Sequence, residues 1–445
     1  MVSWGTHSGG DINRLITRLR ESVFAIPAVI VVLCVGLALF ALYMEAIFGE
    51  SLEEWPLILG TTVTGARTIA NSVAGGMITV AAIVFSMTAL STQMAASQYS
   101  PRALGGFFDD PFQQSIIGLV VGTFTYSLVV LAALGNAITD GSAATPSLSV
   151  TLAIVLAVLS VLGIVLYINH SLRRMQIDSV VRRISSSAIK AIERHLDGAT
   201  EANTLDVPPA QGTPGVVKSV SGGWVVEIHA VQGLDALDAG ATARVDVRLG
   251  EAVSPGDRVF TVWPDPGEDW DGATQLRRCV VLSDERSLDL DPTFGIRQLV
   301  DIALRALSPG VNDPTTAVDV IHHLKTPVRK VLQSAAPKRV FTGDENRRVV
   351  VAHIPSRSDY VHFAFSEIRL AAIRQPYVIA ALLEILSDLE HDLEEAGLAG
   401  RELAVQEEIE LTLELAKLSG LPGPDLRRVL ERSDTGLAAS DQSGG

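Results

Sequence analysis

The sequence predicts an α-helical membrane protein with four transmembrane helices, followed by a cytoplasmic α+β region made of a small β-barrel-like module and a mostly helical domain. Three observations predict it. Four long apolar stretches crowd the first 170 residues. Mean hydropathy is +0.32 with only 19% charged residues, against roughly a quarter in ordinary soluble chains. The texture then changes to short β-branched runs, and later to helical periodicity. A length of 445 residues also exceeds the roughly 250–300 at which single cores stop growing, so several units are expected.

The first apolar stretch runs over residues 23–48, longer than the ~20 residues that cross a bilayer core. It is too long for a signal-peptide core, and no small-residue cleavage pattern follows it, so it reads as a retained helix. Three further stretches follow near residues 68–97, 113–135 and 147–169, each able to satisfy its own backbone within lipid as a helix. An even number of spans puts both termini on one side. Arg14, Arg18 and Arg20 precede the first span, and Arg173, Arg174, Arg182, Arg183 and Lys190 follow the fourth, whereas the first loop carries Glu50, Glu53 and Glu54. Basic flanks stay inside, which puts both termini in the cytoplasm and outweighs Arg67 at the outer end of the second span.

The predicted divisions are a cytoplasmic segment 1–22, a transmembrane domain 23–170, a juxtamembrane amphipathic helix 171–197, a linker 198–215, a β module 216–275, a mainly helical domain 276–432 and a disordered tail 433–445. The helix alternates Val180, Val181, Ile184, Ala188 and Ile192 with basic residues, as in a helix that touches anionic headgroups or a solvated stalk. The linker is rich in Pro, Gly, Thr and Ala. Within the β module, Val216-Val217, Trp224–Ile228, Ala243–Val247 and Arg258–Val262 are separated by turn residues. The module's rhythm looks like the barrel-sandwich cores of biotinyl and lipoyl domains. Those carriers present a lysine on a hairpin tip, and this segment has only Lys218 at its margin. No attached cofactor is expected. Asp291-Pro292 and Asp313-Pro314 each place a capping carboxylate before a proline at the first helical position.

The second span carries the most informative pattern. Ser72, Thr79, Ser86, Gln93 and Ser100 recur every seven residues, and Gly75 and Gly76 widen the same stripe. Such a line can face water in a pore built from several copies, or it can let membrane helices approach closely and hydrogen-bond. No charged residue sits mid-span, although pumps and ion-coupled carriers usually need one there. At the exit of the span, Gln98, Tyr99 and Arg102, followed by Asp109 and Asp110, could form a gate or vestibule, or an ordinary surface loop. Asn312, Asp313, Thr315 and Thr316 offer a helix N-terminus for an anion or for simple capping. Asp319, His322 and His323 lack a third ligand at recognisable spacing, and no metal site is assigned to them.

Phe85–Leu90 through Ser97–Arg102, Gly122–Tyr126, Asp291–Ala303 and Leu307–Ala317 together resemble a family of bacterial predicted membrane proteins known only as a domain of unknown function. The resemblance runs over about residues 14–418 and implies a bacterial inner-membrane protein without supplying an activity or site. Two cysteines allow neither a disulfide framework nor a thiolate metal site. Residues 1–170 hold five basic and nine acidic residues, leaving 30 basic and 41 acidic beyond them, so no nucleic-acid surface is expected. No nucleotide loop, nucleophile elbow or zincin signature occurs, and the expectation is a non-enzyme. The leading expectation is a homo-oligomeric channel in the lipid bilayer, lined by the second span and gated or assembled by its cytoplasmic domain. The alternative is a non-conducting scaffold with a cytosolic protein partner.

Overall fold

The computed structural model describes residues 25–52, 58, 60–98, 110–140, 147–174, 177–196, 212–267, 270–398 and 400–419, together with 423, 424 and 426. The chain divides into two units, Met1–Gln176 and Ile177–Gly445.

The first unit contains α1 (Ala25–Leu52), α2 (Val63–Gln98), α3 (Pro111–Asp140) and α4 (Ser147–Arg174). Their apolar portions, Ala25–Phe48, Val63–Met94, Pro111–Gly135 and Ser147–Ser171, are each long enough to cross a membrane. The second starts five residues before the predicted bound, where the Thr62 hydroxyl accepts from the Gly65 amide at 3.1 Å. Close packing rests on small residues. A Cβ at Gly118 would lie 2.9 Å from Pro27 Cα, and one at Gly122 would lie 2.7 Å from Cys34 Sγ. This Gly-x-x-x-Gly step therefore presses α3 onto α1. On α2 the buried residues are Ala66, Ala70, Ala74, Met77, Ala81 and Val84, a helical stripe that packs toward Tyr126, Val130, Val120 and Tyr167.

In the second unit, α5 (Ile177–Leu196) buries Val180, Val181, Ile184, Ala188, Ala191 and Ile192. It packs against α8 (Pro292–Ala306) and α9 (Pro314–Gln333). A Cβ on Gly295 of α8 would come within 2.6 Å of the Ala188 Cβ. The amphipathic face predicted from sequence is thus an internal packing face, with Arg182 left exposed. Helices α10 (Arg357–Ala371), α11 (Pro376–Glu395) and α12 (Leu403–Leu418) complete the helical part.

The β module contains β1 (Gly215–Lys218), β2 (Gly223–Ile228), a one-turn α6 (Ala230–Gly233), β3 (Thr242–Val245), β4 (Ala252–Val253) and β5 (Arg258–Trp263). After α7 (Gly272–Cys279) come β6 (Val280–Ser283) and, well downstream, β7 (Val340–Thr342) and β8 (Arg348–Val351). The barrel-like expectation is corrected here, because the strands form two open sheets, β1-β5-β3-β8-β7 and β4-β2-β6. The reason is a distant partner. The free edge of β3 pairs in parallel with β8, Ala243 opposite Val349 and Val245 opposite Val351, so the sheet grows outward instead of closing. Val225, Ala243, Val245, Phe260, Val262, Leu276 and Val349 share one core.

Both Asp-Pro starts form as caps. Asp291 accepts from the amides of Thr293 and Phe294, and Asp313 accepts from that of Thr316. Asp291 is 1% exposed and also receives Arg286 Nη2 at 2.5 Å, whose guanidinium lies 4.6 Å over the Phe294 ring. Removing one partner of a buried ion pair costs about 3–5 kcal/mol. Asp291→Ala is therefore expected to lower the thermal midpoint of the detergent-solubilised protein by far more than Asp178→Ala, whose partner Arg182 is exposed. Equal midpoints for the two variants would refute this ranking.

Candidate functional sites in the membrane and α/β units

The polar stripe of α2 lies on the face opposite its buried alanines. Ser72, Gly75, Gly76, Thr79, Ser86 and Gln93 are all exposed on the surface of the chain, and a Cβ at Gly75 or Gly76 would meet nothing within 4 Å. Two hydroxyls are satisfied within the helix, Ser72 donating to Thr68 O at 2.8 Å and Thr79 to Gly75 O at 3.1 Å. Ser100, Tyr99, Arg102 and Asp109 lie outside the described residues, and of Gln98 only its place at the end of α2 is described.

Asp110 is buried. Its Oδ1 accepts from the Phe112 amide at 3.1 Å, and its Oδ2 sits 2.8 Å from His170 Nε2. The His170 ring stands 4.9 Å from that of Phe112. Next to this pair, Thr88 meets the Tyr167 hydroxyl at 2.7 Å and Ser91 meets Ser171 at 3.4 Å, so Asp110 belongs to a polar cluster joining α2, α3 and α4. At the other end of the spans, Glu45 of α1 is buried. It accepts from the Ser149 amide at 2.7 Å and from the Ser149 hydroxyl at 2.7 Å, while the Tyr126 hydroxyl donates to Ser149 O at 2.9 Å. A carboxylate from one helix therefore caps the start of another.

In the α/β unit, Asp313 fills the N-terminus of α9 with its own carboxylate. Thr316 donates from its hydroxyl at 2.6 Å and from its amide at 3.1 Å, and these bonds hold the Asp313 carboxyl below its ordinary range. Asn312 has positive φ and accepts from Gln375 Nε2 at 2.8 Å, while Thr315 is exposed. The geometry here is that of capping, because an added anion would meet a carboxylate already in place. His323 lies 3.5 Å from Asp178. Among the described residues no group of three or more His, Cys, Asp or Glu is gathered as a metal cage.

Two large clefts also occupy the α/β unit, of about 570 Å³ and 470 Å³. They share His195, Pro337, Ile354, Pro355 and Tyr360. Tyr360 is buried, and its phenol is pushed up by burial and by Asp291 and Asp359. Burial holds the His195 imidazole below its ordinary 6.5, with Asp291 pulling the other way.

The family model described as "Predicted membrane protein (DUF2254)" matches residues 20–388. The chain belongs to this family. Uncharacterised proteins of Mycobacterium bovis and Mycobacterium tuberculosis are each 30% identical over 409 residues, covering 90% of this chain and 77% of the relative. No solved structure matches the chain. The family match takes in all four spans, both sheets and most of α11, and it ends before α12.

Sequence reasoning named Asp110 as a gate or vestibule candidate but not its pairing with His170, and it passed over the Glu45–Ser149–Tyr126 group and both clefts. The signal for both groups was an ionisable residue at the end of an apolar stretch, Glu45 in one case and Asp110 with His170 in the other. Two expectations follow for this DUF2254 protein. Glu45→Ala leaves the α4 N-terminus uncapped and is expected to cost about 1–3 kcal/mol, read as a lower thermal midpoint in detergent, with Glu45→Gln retaining part of the cap; an unchanged midpoint would count against the cap. For His195, the folded state binds its proton less readily than the unfolded chain, so its contribution is full above about pH 6.5 and declines as pH falls below that value. His195→Gln should flatten the loss of stability between pH 7 and pH 5, and a slope identical to wild type would show that another group carries it.

Proposed function

We propose that the protein is a homo-oligomeric channel of the bacterial inner membrane in which the α2 helices of several copies face a central passage. Both termini and the α/β unit are on the cytoplasmic side, and the α/β unit serves as assembly platform and gate. The observation that carries this reading is the outward turn of the Ser72–Gly76–Thr79–Ser86–Gln93 stripe. A glutamine amide and glycine-exposed backbone facing hydrocarbon are costly. Turned toward sister helices or water, the same groups gain partners, and small residues permit close approach between copies. The orientation rests on the arginine-rich flanks of the first and fourth spans. The reading is one of passage and binding, with no reaction assigned.

A non-conducting membrane-anchored binding protein is the second reading, favoured by the two clefts of the α/β unit. Cross-linking and flux separate the two. Ser72→Cys and Ser86→Cys are expected to form oxidative cross-links between copies in membranes, whereas Leu162→Cys on the exposed face of α4 is not. Purified protein in liposomes should pass small ions, and Thr79→Trp should reduce that flux. Flux equal to that of empty vesicles, with Ser72→Cys remaining uncross-linked, would overturn the channel reading.

A further inference from the structure

The smaller cleft of the α/β unit, of about 470 Å³, has mostly apolar walls, with Val226, Ile228, Leu249, Phe341, Val351 and Ile354 among them. Small-molecule sites share that make-up, an apolar lining around roughly 300–1,000 Å³ with a few polar groups that fix orientation. The charged side chains of this lining already have partners. Asp291 is paired with Arg286, and Glu227 lies 3.4 Å from His229. Arg194 Nη1 donates to Asp289 O at 2.7 Å, and Lys338 Nζ stands 5.1 Å from the centre of the Phe341 ring. The Thr293 hydroxyl donates to Asp291 at 2.7 Å.

Of the polar side chains that remain in the lining, His353 is exposed. Tyr360 is only 5% exposed, yet its hydroxyl has no hydrogen-bond partner among the described residues and keeps a little open surface. Buried phenols ordinarily find a partner, so a hydroxyl left without one in a cleft wall is a donor in reserve. The half-buried His195 side chain has no hydrogen bond among the described residues either. Asp291 acts on both groups electrostatically, and it lines the smaller cleft but not the larger one, which ties the pair to the smaller. Burial keeps the phenol protonated and the imidazole neutral at pH 7. The two groups left to bond a ligand therefore carry no charge, and the walls around them favour an apolar body.

We propose that the smaller cleft binds an uncharged, largely apolar compound that carries a carbonyl oxygen, with the Tyr360 hydroxyl donating to that oxygen and Ile228, Leu249 and Phe341 enclosing the apolar body. The site belongs to the α/β unit and stands whether or not α2 lines a passage. Benzophenone meets this description and is also a photolabel, while diphenylmethane has the same rings without the oxygen. Full-length protein in detergent is irradiated with rising benzophenone, labelled peptides are read by mass spectrometry, and diphenylmethane or the anionic diphenylacetate is added in competition. Saturable labelling is expected on residues 226–228, Leu249 or Phe341, which line this cleft alone. Diphenylmethane should bind about tenfold more weakly than benzophenone, the worth of one hydrogen bond, and diphenylacetate should also bind more weakly. Tyr360→Phe is expected to weaken benzophenone about tenfold and to leave diphenylmethane unchanged, and detergent partition, common to both, drops out of the comparison. Its melting temperature should match wild type, since the hydroxyl has no bond to lose among the described residues. Phe341→Ala should weaken both compounds, and Tyr377→Phe, at an exposed tyrosine outside both clefts, should change neither. The proposal is overturned if labelling does not saturate, or if it falls instead on Leu403 or Ala404 of the larger cleft. It is equally overturned if Tyr360→Phe binds benzophenone as wild type does, if that variant melts lower, which would give the hydroxyl a structural bond, or if diphenylacetate competes as well as benzophenone.

Discussion

Hydrocarbon offers no hydrogen bonds, and the first unit is arranged around that constraint. Its backbone is helical throughout the four spans, which satisfies each amide and carbonyl internally. The same constraint acts on side chains. Ser72, Thr79, Thr88, Thr92, Thr123, Thr125, Ser127 and Ser160 all donate to the carbonyl four residues earlier. The hydroxyls are thereby made tolerable in lipid while their oxygens remain able to accept. Such an oxygen is used between helices where Thr88 meets the Tyr167 hydroxyl at 2.7 Å. Burial of apolar area cannot hold helices together inside lipid, so packing and these polar contacts must do so. The close approach at Gly118 and Gly122 is the steric counterpart.

The α/β unit solves a different problem, that of covering sheets that do not close. Because β8 joins β3 in parallel, the chain must travel through α8 and α9 before returning, as parallel pairing always requires a long crossover. That crossover helps bring the helical part beside the β module. The same region contains Asp291, tied at once to α8, to Arg286 and, through the left-handed Gly250, to the turn before β4. A Cβ at Gly250 would lie 2.3 Å from Asp291 Oδ2. The clefts take lining residues from both the β module and the helices.

Much of the fold was legible in the residues because it depends on local periodicity. Apolar length fixed the four spans to within a few residues, and the Asp-Pro signatures marked the starts of α8 and α9. The runs at Val216, Trp224, Ala243 and Arg258 became β1, β2, β3 and β5. Open sheets in place of a barrel-like module could not be read in advance, since β8 lies about a hundred residues from its partner and β-pairing leaves no mark at that separation. The amphipathic stripe of α5 was visible, but its covering by α8 and α9 was not, because an apolar face looks the same whether it meets a membrane or a protein.

The sequence by itself determined that this chain is held in a membrane by four apolar helices and which α2 residues share a polar stripe, because hydrophobic length and helical spacing are properties of neighbours in the chain. Only the tertiary structure decided that the stripe turns away from the protein's own helices, that Glu45 caps α4, and that His195 and Tyr360 share the wall of a cleft. Those outcomes depend on contacts between residues far apart in sequence, where the packing of whole elements, and not the preference of any short segment, sets which groups meet.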